Sequence, residues 1–345
     1  MTERTRSAPW KTAAGQIVPY ILAILVAFLV AGLVIGLMGF NVPKAYATIL
    51  FTSFRTHNGF INTLNKWVPL VLQALAFTVP LTAGKFNIGG EGQLIAGAVG
   101  AAAVGIVFAG QPAVVLLPLV LAAGALMGLL WVLLPSVLLY RFSINEILTT
   151  VLMNFVAFEL VNYVATQIWP DPAAGHPTTL PIGAGGWLPL LISRPPLHSG
   201  IIVGLLVGGA VYLYTSRTSA GYELMATGAN PRASRVFGIN VRRMFFLSML
   251  AGGAIGGLSG AIEVAGVQHR LIEGLQSNYL LLGIIIGLIA RGDNLAVPFV
   301  AFFISVLEVG ASAMQRTLQI PSEMVLIVEA LILLFVLLSD VIRRR

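Results

Sequence analysis

Long apolar segments, separated by short polar turns, follow one another along almost the whole chain. Residues 17–38 and 114–139 contain no charged side chain, and shorter apolar runs cover 201–214, 280–290 and 325–338. A helix needs about 20 apolar residues to cross the hydrocarbon core of a bilayer. The pattern therefore predicts an all-α, polytopic membrane protein with about ten spans.

The predicted spans form one transmembrane domain, 1–345, whose residues 1–16 are a polar, basic tail. The ten spans are 17–39, 68–83, one that follows Gln93 and ends near 108, one that ends at 139, and 147–168, 200–214, 245–265, 279–290, 295–313 and 324–341. Residues 44–54 are predicted to form a short helix at the outer surface. The proline- and glycine-rich stretch 170–198 predicts an irregular extracytoplasmic loop.

Charged residues are few, and their positions orient the chain. With ten spans, 14 of the 20 Lys and Arg residues fall on the side that holds both termini, and six fall on the other. Because basic residues accumulate in cytoplasmic loops, both termini are expected in the cytoplasm. The net charge of +7 follows from the same bias, and the basic residues are too dispersed to predict a nucleic acid polymer as partner.

Several kinds of chemistry are not predicted. The chain has no cysteine, which excludes disulfides, thiol chemistry and cysteine-based metal sites. Its four histidines fall in predicted loops, without a partner at ligand spacing, so no metal site is predicted. No phosphate-binding loop ending in Lys-Ser/Thr occurs, and no nucleophile motif supports an intramembrane enzyme. If the chain pumps a solute, a partner must supply the energy.

One polar, basic segment, residues 215–244, separates two apolar blocks in the middle of the chain. Apolar residues recur in it at helical spacing, and the pair Asn230-Pro231 predicts a break, because proline is tolerated only in the first turn of a helix. We therefore expect a short helix, a turn and a second short helix, here called the arm. The arm is either an ordinary cytoplasmic loop, basic by the positive-inside rule, or a docking element for a soluble partner.

Two polar interruptions occur at corresponding places in the two halves of the predicted topology. Residues 84–93 contain Glu91, residues 266–278 contain Glu273, and both segments are glycine-containing. Such matched breaks are typical of inverted-repeat transporters, in which unwound backbone offers hydrogen-bonding groups to a solute. They predict a translocation path, although 84–93 can either reach the cytoplasm or turn back within the membrane.

Acidic residues inside predicted spans need an explanation, because a charge at bilayer depth costs roughly 2.5–3.5 kcal/mol. Glu159 and Glu263 lie near predicted outer ends, where we expect them to reach water. Glu308 and Glu329 lie deeper, and either line a solute path or hold a structural hydrogen-bond network.

Amide side chains give one face of the fifth predicted span a polar character. Asn145 and Asn154, with two threonines between them, lie on this segment. Polar residues on a membrane helix usually hold helices together. Binding of an uncharged solute by these amides is the alternative.

Four segments together resemble a known family. They are Phe86–Gln93 (FNIGGEGQ), Asn145-Glu146-Ile147 with Met153-Asn154, the arm with GYELMATGANPRASRVFGI, and AMQRTLQIPSEMV from Ala313. The chain resembles permease subunits of ATP-binding-cassette importers, in the nucleoside and simple-sugar branch of the branched-chain amino acid and ribose permease superfamily. The family arm often has an arginine after the GYxL pattern, where this chain has Met225.

The resemblance implies a type II-like importer permease that works by alternating access, with no catalytic residue or metal of its own. It implies a cytoplasmic ABC ATPase that binds ATP and Mg²⁺, a second permease subunit, identical or related, an extracytoplasmic solute-binding protein, and a place in the bacterial inner membrane. The candidate path residues are Asn87, Glu91, Gln93, Asn145, Asn154, Gln276, Asn278, Glu308 and Gln315. The candidate coupling residues are Gly221, Tyr222, Leu224, Gly228, Asn230, Pro231, Arg232, Arg235 and Gly238.

Nucleosides or nucleobases are the predicted solutes, since no Lys or Arg is placed within a predicted span to hold an anionic group. A simple sugar such as ribose is the alternative within the same class. A different class, a stand-alone carrier driven by protons or sodium through Glu308 or Glu329, also stays open.

Overall fold

Helices make up most of the structure, a computed structural model that describes residues 22, 25–321, 324, 326–327, 330–331 and 334–335. The helices are α1 Leu25–Leu37, α2 Val42–Arg55, α3 His57–Thr82, α4 Gly90–Val107, α5 Ala113–Phe142, α6 Glu146–Tyr163, α7 Gly200–Arg217, α8 Ser219–Ala229, α9 Pro231–Val236, α10 Val241–Glu263, α11 Tyr279–Ile289 and α12 Val297–Leu318. Two short strands, β1 Leu190–Ser193 and β2 Pro196–His198, form an antiparallel hairpin.

Seven helices in the described part of the chain are long and apolar enough to cross a membrane: α3, α4, α5, α6, α7, α10 and α12. Helices α6 and α10 each continue into a five-residue π-helical turn, Val164–Ile168 and Val264–Gln268. Two shorter apolar helices, α1 and α11, fall on the first and eighth predicted spans. The polytopic helical fold is therefore confirmed, and the count of ten spans is approximate because much of 324–341 and of 17–24 lies outside the described residues.

The boundaries of α3 differ most from the prediction. We predicted a span over 68–83, but α3 begins at His57 and has 26 residues. Polar side chains in the first half of α3 interrupt the apolar pattern, so the sequence did not predict this part of the helix. In the structure, side chains of this half have hydrogen-bond partners in other segments. The amide nitrogen of Asn65 donates to the carbonyl of Pro196, and the indole nitrogen of Trp67 donates to the carbonyl of Pro298, both over 2.8 Å.

The chain divides into two compact units, one of residues up to Thr56 together with those from Val306 onward, and one of His57–Ser305. In the second unit α10 packs against α3, α4 and α5 at glycine contacts. A Cβ atom on Gly97 would lie 2.1 Å from the carbonyl oxygen of Gly257. Backbones approach this closely only where side chains are absent, as is common between membrane helices.

In the first unit α2 lies against α12. A Cβ atom on Gly310 would lie 2.1 Å from the carbonyl oxygen of Ile49, and the Ser53 hydroxyl donates to the carbonyl of Val306 over 3.4 Å. Asn41 caps α2 by accepting from the backbone N–H of Lys44. The helix predicted over 44–54 is thus present, extended by a few residues at its start.

The long loop 170–198 is more ordered than the irregular loop that we predicted. Besides the β1–β2 hairpin, it is joined to the segment that follows α10 by backbone hydrogen bonds from Thr179 to Leu271 and from Ile182 to His269, both 2.9 Å long. The Arg270–Asp171 ion pair, with 2.8 Å between the charged atoms, adds to this connection. The predicted extracytoplasmic loop 170–198 and the polar interruption 266–278 are therefore connected by backbone hydrogen bonds and an ion pair.

Candidate functional site

The segment that precedes α4 holds a pair of buried amides. Asn87 and Gln93 are each about 1% exposed, and their side chains pair twice, with Asn87 Nδ2 donating to Gln93 Oε1 over 2.9 Å and Gln93 Nε2 donating to Asn87 Oδ1 over 2.7 Å. Asn87 also donates to the carbonyl of Ala76 in α3 over 3.1 Å. The interruption 84–93 therefore folds back against α3, and its amides lie in the interior of the helix bundle.

Asn154 connects α6 to this same segment. Its Oδ1 accepts from the backbone N–H of Gly92 over 2.8 Å, and its Nδ2 donates to the carbonyl of Ile88 over 2.9 Å. Both bonds satisfy backbone groups of the unwound segment, which would otherwise be unpaired at the start of α4. The structure thus gives Asn154 the helix-joining role that the sequence left open.

Gln73 extends the buried polar groups along α3. Its Nε2 donates to the carbonyl of Gly256 in α10 over 3.3 Å, while its Oε1 is buried without a hydrogen-bond partner among the described residues. Gly90 and Gly256 leave room beside these amides, since a Cβ atom on Gly90 would lie 2.6 Å from Gln73 Oε1 and one on Gly256 would lie 3.0 Å from Gln93 Oε1. Sequence analysis missed Gln73 because it stands alone in an apolar stretch.

Lys66, Tyr279 and Glu263 form a charged cluster further along the contact between α3 and α10. The Tyr279 hydroxyl donates to Glu263 Oε1 over 3.0 Å, and the Lys66 ammonium lies 4.4 Å from the centre of the Tyr279 ring. Two expectations are wrong here. Glu263 is only 4% exposed, so it does not reach the surface, and Lys66 is part of a helix that is long and apolar enough to cross a membrane.

These groups form one line, here called the polar seam: Lys66, Glu263, Gln73, Asn87 and Gln93. Lys66 and Gln73 are seven residues apart on α3, as are Gly256 and Glu263 on the facing helix α10, so both pairs lie on one face of their helix. Buried polar groups inside a membrane bundle are costly and mark candidate solute paths. The amide side chains of the seam suit a candidate path for an uncharged, hydrogen-bonding solute, and its two ionisable groups, Lys66 and Glu263, need a separate explanation.

The other predicted path residues lie elsewhere. Asn145 is exposed and caps α6, accepting from the backbone N–H groups of Ile147 and Leu148. Glu91 is half-buried in the first turn of α4, and Asn278 is exposed at the start of α11. Gln276 is half-buried, and its Oε1 is buried without a hydrogen-bond partner in the described part of the chain. Glu308, half-buried, and Gln315, exposed, are on the part of α12 that belongs to the first unit. Glu329 lies outside the described residues.

The arm has the predicted shape of two short helices. Asn230 ends α8 and caps α9, where its side chain accepts from the backbone N–H groups of Arg232 and Ala233, and Pro231 occupies the first turn. Gly221 lies against the end of α7, since a Cβ atom there would be 2.1 Å from the carbonyl oxygen of Tyr214. The arm is therefore folded tightly onto the helix from which it emerges.

The inner face of the arm rests on the loop that leads into the buried amides. Leu224, 2% exposed, packs with Ala83 and Met244, and Gly84 faces the backbone of Gly228. Next to this contact, Lys85 pairs with Glu146 over 3.3 Å and lies over the ring of Phe245. Helix α8 is therefore in direct contact with residues 83–85, which precede Asn87 in the chain.

The outer face of the arm is apolar and basic. Val236 and Phe237 are 85% and 84% exposed, and Tyr222 is 67% exposed. Arg232 and Arg235 are also exposed, and Gly238 ends the face with a positive φ of 82°. Sequence analysis named the tyrosine and the two arginines but not the Val-Phe pair, which completes a surface suited to a protein partner.

Two histidines lie where the loops meet, and His198 is buried while His269 is half-buried. His198 is 3% exposed, and its Nδ1 accepts from the backbone N–H of Gly200 over 3.2 Å, so that its proton is on Nε2. Burial first, and then the charge of His269, lower the pKa of His198 to about 4. His269 stacks on Trp187 with 4.0 Å between the ring centres, and burial lowers its pKa as well.

A polytopic helical bundle with a buried polar seam and a helical arm defines a membrane permease. The family model described as "Branched-chain amino acid transport system / permease component" matches residues 59–337, and the chain belongs to this family. It is an ABC transporter permease, a transport subunit whose ATPase is a separate protein.

Several characterised relatives cover nearly the whole chain. The guanosine ABC transporter permease NupP of Bacillus subtilis is 32% identical over 95% of this chain and 94% of its own length. The glucose ABC transporter permease TsgB13 of Haloferax volcanii is 31% identical over 98% and 91%. The nucleoside ABC transporter permease NupB of Lactococcus lactis is 27% identical over 88% and 86%. No solved structure matches the chain.

Proposed function

We propose that the chain is the permease subunit of an ATP-driven importer that moves nucleosides or nucleobases by alternating access. The observation that carries this proposal is the contact between the arm and the loop Ala83–Lys85, which leads directly into the buried amides Asn87 and Gln93. Through this contact, a movement of the ATPase subunit would reach the candidate path over a short distance.

The proposed assembly contains two permease subunits, two ABC ATPase subunits that bind ATP and Mg²⁺, and an extracytoplasmic solute-binding protein. The exposed outer face of the arm suits the ATPase, and the joined loops 170–198 and 266–278 suit the binding protein. The proposed place is the bacterial cytoplasmic membrane, with both termini in the cytoplasm, as the excess of basic residues on that side indicates.

The seam supports an uncharged solute with several hydrogen-bonding groups. Amides such as those of Gln73, Asn87 and Gln93 both donate and accept, which suits a nucleobase edge or a sugar hydroxyl. Lys66 is not placed as a dedicated anion site, because its ammonium lies over the Tyr279 ring, whose hydroxyl donates to the Glu263 carboxyl group. The guanosine and nucleoside permeases among the relatives support the same assignment.

A simple-sugar importer is the second candidate, and the similarity to the glucose permease of Haloferax volcanii favours it. Membrane vesicles that contain the complete transporter separate the two, by uptake of labelled guanosine and uridine against labelled ribose and glucose. Uptake of the sugars alone would overturn the nucleoside assignment.

The importer class itself is tested by gentle purification of the tagged chain from its native membrane, followed by mass spectrometry of the proteins that accompany it. We expect a stoichiometric ABC ATPase and uptake that requires ATP. A chain that transports without an ATPase, and that an uncoupler stops, would instead be an ion-coupled carrier, for which Glu308 and Glu329 are the candidate proton sites.

A further inference from the structure

The charged cluster of Lys66, Tyr279 and Glu263 is unusual for a path that carries a neutral solute. Glu263 is buried and Lys66 is half-buried, and such charges contribute little net stability because removing them from water costs about as much as their attraction returns. Apolar side chains could fill the same space between α3, α10 and α11. An ionisable group inside a membrane-crossing segment is therefore a candidate functional site by default.

The cluster is placed within the seam, far from the arm. Lys66 precedes Thr82, where α3 meets the arm, by sixteen residues, which corresponds to about 24 Å along a helix. Gln73 lies two turns from Lys66 on the same face of α3, and its buried Oε1 has no hydrogen-bond partner among the described residues. The buried Oε1 of Gln276, three residues before the start of α11, also lacks one in the part of the chain that the structure describes. These two amide oxygens are thus acceptors without a donor among the residues described.

The charges match one feature of the proposed solutes. Nucleosides and simple sugars both carry neighbouring hydroxyl groups on a ring. The two oxygens of a carboxylate accept from two adjacent hydroxyls at once, and an ammonium group donates to the oxygens of the same hydroxyls. Hydrogen bonds to charged groups are also stronger than those to amides, which makes this cluster the most selective part of the seam.

We propose that Glu263 and Lys66 bind the vicinal hydroxyls of the solute and select for sugars and nucleosides that have them. In the structure, the Tyr279 hydroxyl donates to one carboxylate oxygen of Glu263, the position that we assign to a solute hydroxyl. Solute hydroxyls take its place during transport. The inference rests on the proposed function, because it requires a solute with a polyhydroxylated ring.

The test is the ratio of initial uptake rates for guanosine and 2′-deoxyguanosine in proteoliposomes that contain the complete transporter. One solute-binding protein serves all variants, so that its own preference cancels when the ratios of variants are compared. We expect the wild type to favour guanosine and Glu263→Gln to reduce this preference by roughly tenfold or more, the effect of losing a charged hydrogen-bond acceptor. Lys66→Gln removes the charge of the second, half-buried residue and should shift the ratio in the same direction.

Two controls separate recognition from packing. Tyr279→Phe removes the hydroxyl that competes with the solute for Glu263 and leaves both charges, so it should keep or increase the preference for guanosine. Glu159→Gln removes an exposed carboxylate from α6 and should leave the ratio unchanged. Any one of four results would overturn the inference alone. They are an unchanged ratio in Glu263→Gln, an equal loss of preference in Tyr279→Phe, equal wild-type rates for the two nucleosides, and failure of both charge variants to assemble. A wild type that imports neither nucleoside would overturn the proposed nucleoside importer together with it.

Discussion

Gly228 of the arm touches the backbone of Thr82 at the end of α3, since a Cβ atom on this glycine would lie 2.1 Å from the Thr82 carbonyl oxygen. From the other side, a Cβ atom added to Gly84, whose φ is +76°, would lie 3.4 Å from Gly228 Cα. Both residues are glycines, so their backbones are in direct contact, and we expect a small movement of the arm to reach the loop before α4.

The first prediction follows from this contact. Gly228→Ala must push α8 away from Thr82, and we expect uptake to fall by roughly a hundredfold, as misplacements of about 1 Å can do at functional sites, while ATP hydrolysis persists. ATPase activity and uptake are measured on the same proteoliposomes. Gly209→Ala on α7 is the control, because a Cβ atom there meets nothing within 4 Å. Normal coupling in Gly228→Ala would count against the arm as the transmitting element.

The second prediction concerns the outer face of the arm. Phe237 is 84% exposed, and Phe237→Ala should weaken binding of the ATPase by about 1–2 kcal/mol, roughly tenfold in Kd, through loss of a buried aromatic contact. The permease in nanodiscs is titrated with its ATPase subunit. Phe155→Ala, on a span, removes a phenylalanine that is 61% exposed and should leave the Kd unchanged. Equal affinities for the two variants would show that the ATPase binds another surface.

Local signals were sufficient to predict the arm. A polar, basic run between two apolar blocks and the pair Asn230-Pro231 predicted two short helices, and the structure has α8 and α9 with Asn230 between them. Cap and proline effects depend on neighbouring residues alone. The buried face of the arm was not predictable in the same way, since Leu224 meets Ala83, a residue 141 positions earlier.

The start of α3 and the charged cluster show what the sequence could not supply. Asn65 and Lys66 interrupt the apolar pattern, so the first half of α3 was predicted to lie outside the membrane. In the structure Asn65 bonds to Pro196 and Lys66 lies over Tyr279, partners that are more than a hundred residues away. Polar groups within a span are stabilised by tertiary contacts, and a pattern along one helix does not contain that information.

The third prediction concerns the stability that Asn154 provides. Asn154→Ala leaves the N–H of Gly92 and the carbonyl of Ile88 without the partner that each has now. A buried polar group without a partner costs about 1–3 kcal/mol, so the thermal midpoint of the purified protein should fall by several degrees. Asn162→Ala on the same helix is the control. A midpoint that is equally low in both variants would indicate a general effect of substitution on α6.

The last prediction is a dependence on pH through His198. Its ordinary pKa is 6.5 and its pKa in the folded chain is about 4, so the folded state favours the neutral ring. The stability that this preference provides is complete above pH 6.5 and is lost as the pH falls from 6.5 to 4, a total of roughly 3 kcal/mol. Protonation of His198 would place a positive charge next to His269. The atoms His198 Nε2 and His269 Nδ1 are both buried.

Thermal unfolding in detergent at pH 7.5 and pH 4.5 measures this effect. We expect the midpoint of the wild type to fall on acidification, and His198→Gln, which keeps an acceptor for the N–H of Gly200 but cannot be protonated, to fall less. His176→Gln changes an exposed histidine of the same loop and should behave as the wild type does. If His198→Gln loses as much stability as the wild type between the two pH values, the acid sensitivity originates in another group, and His198 is not the residue whose protonation destabilises the fold.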